Sequence, residues 1–304
     1  MRFHIHLGAH KTATTHMQLC LGNARRQLRQ RGVRYFGPRN LREPPGLATA
    51  LADTARDRLT NHWRAGLAAR LTDCRLAVLS EENILGTMAP DLLFGANGAI
   101  YPAAAGRVAR LLDFAGGHPA TLFLAVRNPT DFVASAYGMH LAGGNPPVLS
   151  EYIGNFRVPA LRWSRLVERL LAVEGVEQMV VWAYEDYRVA RPQVLGALVG
   201  TQNVRLVPDR GRALPGWSRD AYRLYQKRYL KAEEGTDLRA LAREAKKSLP
   251  KDDGRAAMQP FGPAARERAK INYARDLERL QSMERVTFLQ PKAGAQPRTA
   301  VRAP

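Results

Sequence analysis

Residues 8–15, which read Gly-Ala-His-Lys-Thr-Ala-Thr-Thr, are the part of the sequence best suited to chemistry. One lysine and three threonine hydroxyls lie between a strand-like run at 3–7 and a helix-like pattern that follows. Such a loop directs backbone N–H groups and an ammonium to the positive end of a helix, where an anion binds favourably. The sequence therefore predicts a phosphate-binding loop around Lys11.

This loop differs from the Walker A loop of ATP-binding proteins. No glycine precedes Lys11, and the spacing from Gly8 to Lys11 is shorter than that motif requires. No predicted strand ends in an aspartate that would bind magnesium. An ordinary ATPase is therefore disfavoured, and a P-loop kinase or nucleotide hydrolase is kept as the alternative enzyme.

Polar side chains also follow two later strand-like runs. Glu81 and Glu82 follow the first run, and Arg127 follows the second, with Ser135 two turns into the next helix. Because parallel sheets bind ligands at the carboxyl ends of their strands, we expect these groups to meet the loop at one edge. Two cations with hydroxyls nearby predict a ligand with two separated phosphates, and a carboxylate between them would serve as a general base.

Each of these side chains also has a purely structural explanation. Adjacent acids such as Glu81 and Glu82 commonly form a solvated turn or cap the segment that follows. Arg127 would serve equally as an ion-pair partner of Asp131 or Glu185. A helical serine such as Ser135 is often only a small packing residue.

The elements that must position these groups are strands alternating with amphipathic helices. Four apolar runs predict buried strands, at 3–7, 75–80, 121–126 and 179–182. Strands that are apolar throughout are typical of a parallel sheet flanked by helices. The predicted fold class is therefore α/β and similar to P-loop nucleotide-binding proteins.

The chain is long enough for one large domain, which we predict over 1–290. Strand patterns stop at about residue 205, so the prediction is a core over 1–204 and a helical C-terminal extension over 205–290. The tail at 291–304 is predicted to be disordered.

A net charge of +19 would suit nucleic acid, an anionic membrane surface or a polyanionic small ligand. The basic residues are scattered and acids lie between them, so nucleic-acid binding is only an alternative. Cys20 and Cys74 share no metal-ligand spacing. No signal peptide and no apolar run of membrane-spanning length is apparent, and the expectation is a cytoplasmic protein without a bound metal.

Two of these motifs together resemble those of sulfotransferases that use 3′-phosphoadenosine 5′-phosphosulfate (PAPS). Residues 8–15 resemble the family's 5′-phosphosulfate loop. Residues 127–131, which read Arg-Asn-Pro-Thr-Asp, resemble its 3′-phosphate motif, together with Ser135 and Tyr137. Residues 80–83 and 272–277 are similar to segments of bacterial members. The resemblance spans residues 3 to about 280, and its specificity comes from two phosphate motifs in the right order.

The resemblance implies a role for each candidate residue. The 5′ end of PAPS would be held by loop residues, namely Gly8, His10, Lys11, Thr12, Ala13, Thr14 and Thr15. Arg127 and Ser135 would bind the 3′-phosphate. Lys11 would stabilise the leaving phosphate, and Glu82, or failing that Glu81, would take the proton of the acceptor hydroxyl.

The expected products are a sulfated acceptor and adenosine 3′,5′-bisphosphate. By family analogy the acceptor is a hydroxyl on a saccharide or glycolipid. Its pocket is expected among residues 38–62, 86–101 and 140–157 and the C-terminal helices. Ala13 stands where the family usually has glycine, and an alanine fits that position if its φ is negative.

Overall fold

A computed structural model describes residues 1–52, 57–71, 74–201, 216–251 and 254–291, apart from the side chains of Ala68 and Asn97. Six strands form one parallel sheet in the order β2-β3-β1-β4-β5-β6. The strands are β1 (Arg2–Gly8), β2 (Val33–Phe36), β3 (Leu76–Ser80), β4 (Ala120–Val126), β5 (Val176–Ala183) and β6 (Val286–Leu289). Because β1 lies between β3 and β4, the segments that follow these three strands meet at one edge.

The helices before β4 are α1 (Thr14–Asn23), α2 (Arg25–Gln30), α3 (Pro38–Leu41), α4 (Leu47–Ala50), α5 (Asp57–Arg70), α6 (Pro90–Leu93) and α7 (Ala104–Phe114). Those that follow are α8 (Pro129–Ala142), α9 (Leu149–Ile153), α10 (Trp163–Leu171), α11 (Tyr187–Val199), α12 (Arg219–Tyr229), α13 (Leu238–Ser248) and α14 (Pro263–Ser282). Among the described helices, none is both long and apolar enough to cross a membrane.

The sheet separates two hydrophobic clusters, as expected for a parallel sheet covered on both faces. Side chains of α1, α2 and α11 cover one face, and Met17, Cys20 and Leu21 of α1 are fully buried there. The larger cluster covers the other face and extends into α12, α13 and α14. The predicted α/β class, with a parallel sheet flanked by helices, is confirmed.

The sequence analysis did not predict β2 and β6, which are the two outermost strands of the sheet. Residues 33–36 form β2, and residues 286–289 form β6, which pairs in parallel with β5. The prediction that strands stop after about residue 205 was therefore wrong, and the C-terminal region is not helical throughout. Both strands are four residues long, and β6 is only partly buried, so neither has the continuous apolar run that marks the central strands.

Local helix predictions need smaller corrections. The pattern after the loop forms two helices, α1 and α2, and residues 38–41, predicted as loop, form α3. The pattern at 47–71 contains α4 and α5, although residues 53–56 lie outside the described part. Residue 291 is described, whereas the remainder of the predicted tail, 292–304, lies outside the described residues.

Candidate functional site

The loop at 8–15 joins the end of β1 to α1, as predicted, at the centre of the sheet. Gly8 has φ 94°, and a Cβ added there would come within 3.1 Å of the Glu82 Cβ and 3.3 Å of the His10 backbone nitrogen. Glycine is therefore required at this position, both by its positive φ and by the close approach of Glu82. The turn at Gly8 brings the loop directly against the segment that follows β3.

Lys11 and Ala13 both have left-handed backbone conformations, with φ 62° and 63°. The condition of negative φ, under which an alanine would suit position 13, is therefore not met. Ala13 is the residue that precedes α1, and no side chain caps this helix N-terminus. A left-handed conformation costs an alanine roughly 1–2 kcal/mol, because its Cβ approaches the backbone, whereas a glycine would adopt it freely.

The three threonines of the loop have different surroundings. The buried Thr12 hydroxyl donates a 2.5 Å hydrogen bond to the Ala9 carbonyl, so this side chain holds the loop together. The hydroxyls of Thr14, which is buried, and Thr15, which is exposed, make no hydrogen bond to the described residues. Thr14 and Thr15 therefore have side chains available for an anion, and Thr12 does not.

Lys11 and Arg127 come together from the ends of the neighbouring strands β1 and β4. The Arg127 guanidinium donates a 2.7 Å hydrogen bond to the Lys11 carbonyl and lies 4.5 Å from the centroid of the Tyr184 ring. Neither Asp131 nor Glu185 forms an ion pair with Arg127, so the structural alternatives weighed from the sequence do not apply. Both cations are only partly buried.

The charge on the Lys11 ammonium has no ion-pair partner among the described residues. Burial lowers the pKa of Lys11, and the positive charges of Arg127 and Lys246 lower it further, while Glu82 acts in the opposite direction. Like charges held together in partial burial destabilise one another unless an anion lies between them. This part of the molecule therefore has the electrostatics of an anion-binding site.

Glu81 is fully buried, and its carboxylate is occupied by structural partners. Arg42 donates from Nε at 2.7 Å and from Nη2 at 2.9 Å, one bond to each carboxylate oxygen. The backbone and side-chain amides of Asn83 donate to Glu81 Oε1 as well, at 3.1 and 2.5 Å. Glu81 thereby caps the short turn Glu82–Ile84 and anchors Arg42, which leaves no carboxylate oxygen for a substrate.

Glu82 is the more accessible acid of the pair, with 14% of its side chain exposed. Its Oε1 accepts from Arg42 Nη2 at 2.8 Å, and its Oε2 accepts from Gln18 Nε2 at 2.9 Å. Burial favours the protonated acid, but hydrogen bonds from its own backbone and Gln18, with the positive charge of Arg42, hold the pKa of Glu82 below its usual value. Glu82 is therefore an ionised carboxylate beside Gly8 and the loop.

His10 connects the loop to Tyr101 and Asn83 through its ring nitrogens. Its Nδ1 lies 2.8 Å from the Tyr101 hydroxyl, and its Nε2 lies 3.3 Å from Asn83 Oδ1. Burial lowers the pKa of His10, and the neutral tautomer with its proton on Nε2 satisfies both contacts. The ring therefore ties the loop to the turn after β3, and both of its nitrogens are bonded within the protein.

Ser135 lies on α8 and is partly buried, and its side chain makes no hydrogen bond to the described residues. A cavity of about 760 Å³ begins at the first turn of this helix, next to Arg127 in the chain. Its lining includes Asn128, Thr130 and Asp131 of that turn, with three cations from other helices, Arg219, Arg266 and Lys270. Because Asp131 and Glu267 also line this cavity, its three cations outnumber its acids by one, and the cavity lies beside the first turn of α8.

A smaller cavity of about 310 Å³ is formed by two of the segments predicted for the acceptor, 86–101 and 140–157. The rings of Phe94 and Phe156 line it with centroids 4.7 Å apart, and the carboxylates of Asp91 and Glu151 lie at its edge. Ring faces beside carboxylates suit a ligand that carries both apolar surface and hydroxyl groups.

Sequence reasoning missed several residues that shape the site. Arg42 and Gln18 hold Glu82, Tyr101 holds His10, and Tyr184 lies under Arg127. Tyr184 follows the end of β5, so the rule that ligands bind at strand ends would have found it. No sequence pattern would have identified Arg42, because it lies in an irregular segment and its partner Glu81 is 39 positions away in the chain.

Four histidines, namely His4, His6, His10 and His16, lie near the N-terminus. Within the described part of the chain, no three or more His, Cys, Asp and Glu side chains are grouped so that they could hold a metal ion. His6 is buried between strands, with its Nδ1 at 2.7 Å from the Ser80 hydroxyl.

No family model matches the chain, and no curated protein matches it. One similar solved structure is the crystal structure of a sulfotransferase from Alicyclobacillus acidocaldarius, with 18% sequence identity and a TM-score of 0.41. The alignment covers 79% of this chain and 95% of that chain.

Proposed function

We propose that this chain is a sulfotransferase that moves a sulfuryl group from PAPS to an acceptor hydroxyl. The observation that carries the proposal is the junction of Lys11 and Arg127, two cations from neighbouring strand ends, where the Arg127 guanidinium donates a 2.7 Å hydrogen bond to the Lys11 backbone carbonyl. The ionised carboxylate of Glu82 lies beside the same loop. A donor with a 5′-phosphosulfate and a 3′-phosphate would offer one anionic group to the loop cation and another to the guanidinium.

The proposed roles follow from the surroundings of each residue. Loop amides with the hydroxyls of Thr14 and Thr15 would hold the 5′-phosphosulfate, as expected at a helix N-terminus. Arg127 would form a fork on the 3′-phosphate, and Ser135 would donate one more hydrogen bond. His10 and Thr12 would act indirectly, because their side chains hold the loop.

In the reaction, the acceptor oxygen forms a bond to sulfur while the bond between sulfur and the bridging phosphate oxygen breaks. The acceptor proton passes to Glu82, and the electron pair of the broken bond remains on the phosphate oxygen. Lys11 stabilises this developing charge, which is the main help such a transfer needs. Glu81 does not take the proton in this scheme, because it is fully buried under Arg42 and Asn83, whereas part of the Glu82 side chain is exposed.

The proposed acceptor is a saccharide or glycolipid hydroxyl, bound at the cavity between Phe94 and Phe156. The carboxylates of Asp91 and Glu151 would accept hydrogen bonds from hydroxyl groups and would disfavour an acceptor that is already anionic. Turnover would be intracellular, where PAPS is available as the donor.

Thermal shift measurements with adenosine 3′,5′-bisphosphate and with ATP–Mg²⁺ test the nucleotide class. We expect stabilisation by the bisphosphate without metal, because ligand binding to the folded chain raises its melting temperature. Stabilisation by ATP–Mg²⁺ alone would favour the kinase or hydrolase alternative and exclude PAPS.

Transfer of labelled sulfate from PAPS to a panel of saccharides and glycolipids tests the activity. Removing one group that stabilises transition-state charge costs about 10²–10³ in turnover, so Lys11→Ala is expected to lose that much. Lys227→Ala removes an exposed lysine of α12 and is the matched control, expected to keep full activity. Equal activity of both variants would rule out the role of Lys11.

A further inference from the structure

Tyr101 has a backbone conformation that its own side chain and its neighbour in the chain both disfavour. Its φ is 49°, in the left-handed region, although the side chain is bulky and the next residue is Pro102. The side chain is fully buried, in the segment that leads into α7. A conformation of this kind persists only where surrounding contacts fix it, and such residues are concentrated at functional sites.

Arg169 of α10 supplies most of the contacts that fix this turn. Its guanidinium donates hydrogen bonds to three successive carbonyls, those of Ile100, Tyr101 at 3.0 Å and Pro102 at 3.1 Å. The Tyr101 N–H donates to the Leu93 carbonyl at 2.9 Å. Arginine suits this position because its guanidinium carries five N–H donors in one rigid plane. The turn at Tyr101 is therefore held on both sides by hydrogen bonds to its main chain.

The Tyr101 hydroxyl lies against His10, the loop residue that directly precedes Lys11. The His10 backbone N–H donates to this hydroxyl at 3.3 Å, and the hydroxyl lies 2.8 Å from His10 Nδ1. With the imidazole proton on Nε2, the hydroxyl accepts from the backbone and donates to Nδ1. One phenol therefore holds both the main chain and the side chain of His10.

A second support reaches His10 from the turn after β3. The His10 Nε2 lies 3.3 Å from the side-chain oxygen of Asn83, which is the residue after Glu82. The imidazole is thus held by Tyr101 on one side and by the turn that carries the proposed base on the other. Contacts at His10 therefore set the position of Lys11 relative to Glu82.

We propose that Tyr101 and Arg169 are positioning residues for sulfuryl transfer and act on Lys11 through His10. Arg169 fixes the left-handed turn, the Tyr101 hydroxyl fixes His10, and the adjoining ammonium is thereby aligned with the bridging phosphate oxygen. The inference rests on the proposed function and extends it, because it assigns the placement of Lys11 to residues outside the loop. Neither side chain contacts the donor in this scheme, so loss of either should lower turnover more than donor affinity.

Steady-state kinetics of Tyr101→Phe test the role of the hydroxyl, because this change keeps the ring. Since a misplacement of about 1 Å can cost about 10²-fold in rate, kcat is expected to fall by about 10-fold to 100-fold. KM for PAPS should stay unchanged, as expected when only alignment in the transition state is lost. Tyr187→Phe is the matched control, because the Tyr187 hydroxyl lies 3.0 Å from a ring nitrogen of His16, which belongs to α1. This control should keep the kcat of the unmodified chain.

Arg169→Lys tests the support of the turn. It keeps the positive charge, but an ammonium lacks the planar fork that bonds three carbonyls, so kcat should fall here too. Arg285→Lys is the control, because Arg285 also donates to carbonyls, those of Leu171 and Val176, at the opposite end of β5 from the site. If both residues act through His10, Tyr101→Phe combined with Arg169→Lys should lose no more kcat than the worse single variant.

The possible results separate this inference from the proposed function. If the unmodified chain transfers no sulfate from PAPS, the proposed function fails and this inference with it. If it is active, and Tyr101→Phe and Arg169→Lys lose only thermal stability while keeping full kcat below their melting temperatures, both residues are merely structural and the proposed function stands. Losses of kcat that multiply in the double variant, or an equal loss in Tyr187→Phe, would also overturn the inference.

Hydrogen exchange followed by mass spectrometry tests the support of the loop without turnover. In Tyr101→Phe and in Arg169→Lys, amides of the loop at 8–15 should exchange faster than in the unmodified chain, because the His10 N–H loses its acceptor or the acceptor is displaced. In Tyr187→Phe the loop should keep its original exchange rate. Unchanged exchange of the loop in both positioning variants would contradict the proposal.

Discussion

Ala13 of the candidate site has a left-handed backbone conformation, which alanine disfavours. Its left-handed backbone places the first N–H groups of α1 around the loop, but an alanine pays for this conformation in stability. The conformation is supported by neighbours on both sides, because the Thr12 hydroxyl closes the loop and Lys11 is left-handed too. The cost at Ala13 should therefore be measurable as a gain when the side chain is removed.

Ala13→Gly is expected to raise the free energy of unfolding by about 0.5–1 kcal/mol. Relief of the left-handed strain contributes about 1–2 kcal/mol, and the more flexible unfolded chain opposes it by about 0.4–1 kcal/mol. Urea denaturation measures the difference. The control is Ala274→Gly, in the exposed middle of α14, where the same change should cost about 1 kcal/mol. Destabilisation by both variants would contradict the strain at Ala13.

Arg42 joins the two acids of the site and has a different energetic role toward each. With Glu81 it forms a bidentate pair in which the acid is fully buried, whereas half of the Arg42 side chain is exposed. Loss of the arginine would leave a buried carboxylate without its cation. Breaking such a pair costs about 3–5 kcal/mol when both partners are buried, and less when one of them reaches solvent.

We expect Arg42→Ala to lower the free energy of unfolding by about 2 kcal/mol. The loss should be much smaller in a Glu81→Gln background, because the buried group is then neutral. A double-mutant cycle by chemical denaturation measures this coupling. Additive effects of the two substitutions would show that the ion pair contributes nothing to stability.

At the scale of elements, β1 carries His4 and His6, and the loop that follows it carries His10. Burial lowers the pKa of His6 to about 4 and also lowers the pKa of His4 and His10. These histidines are neutral in the folded chain, while in the unfolded chain they take up protons near pH 6.5. The contribution of His6 to stability is therefore fully present above pH 6.5 and is lost as the pH falls through the window between 6.5 and about 4, and His4 and His10 act in the same direction.

His6 alone should account for a loss of about 3 kcal/mol across that window, since each pKa unit corresponds to about 1.4 kcal/mol. His6→Gln is expected to give a flatter dependence of unfolding free energy on pH, measured by urea denaturation at several pH values. His118→Gln, at an exposed histidine, is the control and should keep the original slope. Identical slopes for all three proteins would refute the contribution of His6.

At the scale of the whole molecule, a net charge of +19 would favour binding of either a small polyanion or nucleic acid. The affinities for these two kinds of ligand depend differently on salt concentration. Lys11 and Arg127 are partly buried at the carboxyl ends of the central strands β1 and β4, so salt screens their interaction with a bound anion only weakly. Cations spread over the surface would bind nucleic acid by displacing counterions, which gives a steep dependence on salt. The salt dependence therefore distinguishes a built anion site from a basic surface.

Between 50 and 200 mM salt we expect the affinity for adenosine 3′,5′-bisphosphate to fall by less than about 10-fold. A protein that contacts 6–10 phosphates of nucleic acid would lose about 10³–10⁵ in affinity over the same range. Calorimetry with the bisphosphate and fluorescence anisotropy with a DNA duplex measure the two dependences. Tight duplex binding at 200 mM salt, without bisphosphate binding, would favour the nucleic-acid alternative.

Much of the architecture could be predicted from local patterns. The central strands β1, β3, β4 and β5 are apolar runs followed by polar residues, and this pattern alone indicates a parallel sheet covered on both faces. The edge strands β2 and β6 could not be predicted in the same way. They are short, and β6 is only partly buried, so its pairing with β5 depends on where α14 ends in space.

The sequence by itself determined which residues stand at the strand ends, because the types and spacing of the residues at 8–15, 81–82 and 127–135 are local properties. Only the tertiary structure decided which of these residues are buried, which are accessible and which side chains they contact. It buries Glu81 under Arg42 while leaving Glu82 accessible, turns the Thr12 hydroxyl toward the Ala9 carbonyl, and places the Lys246 ammonium over the Trp217 ring. These outcomes depend on contacts between segments distant in the chain, where burial and neighbouring charge set the properties of each group.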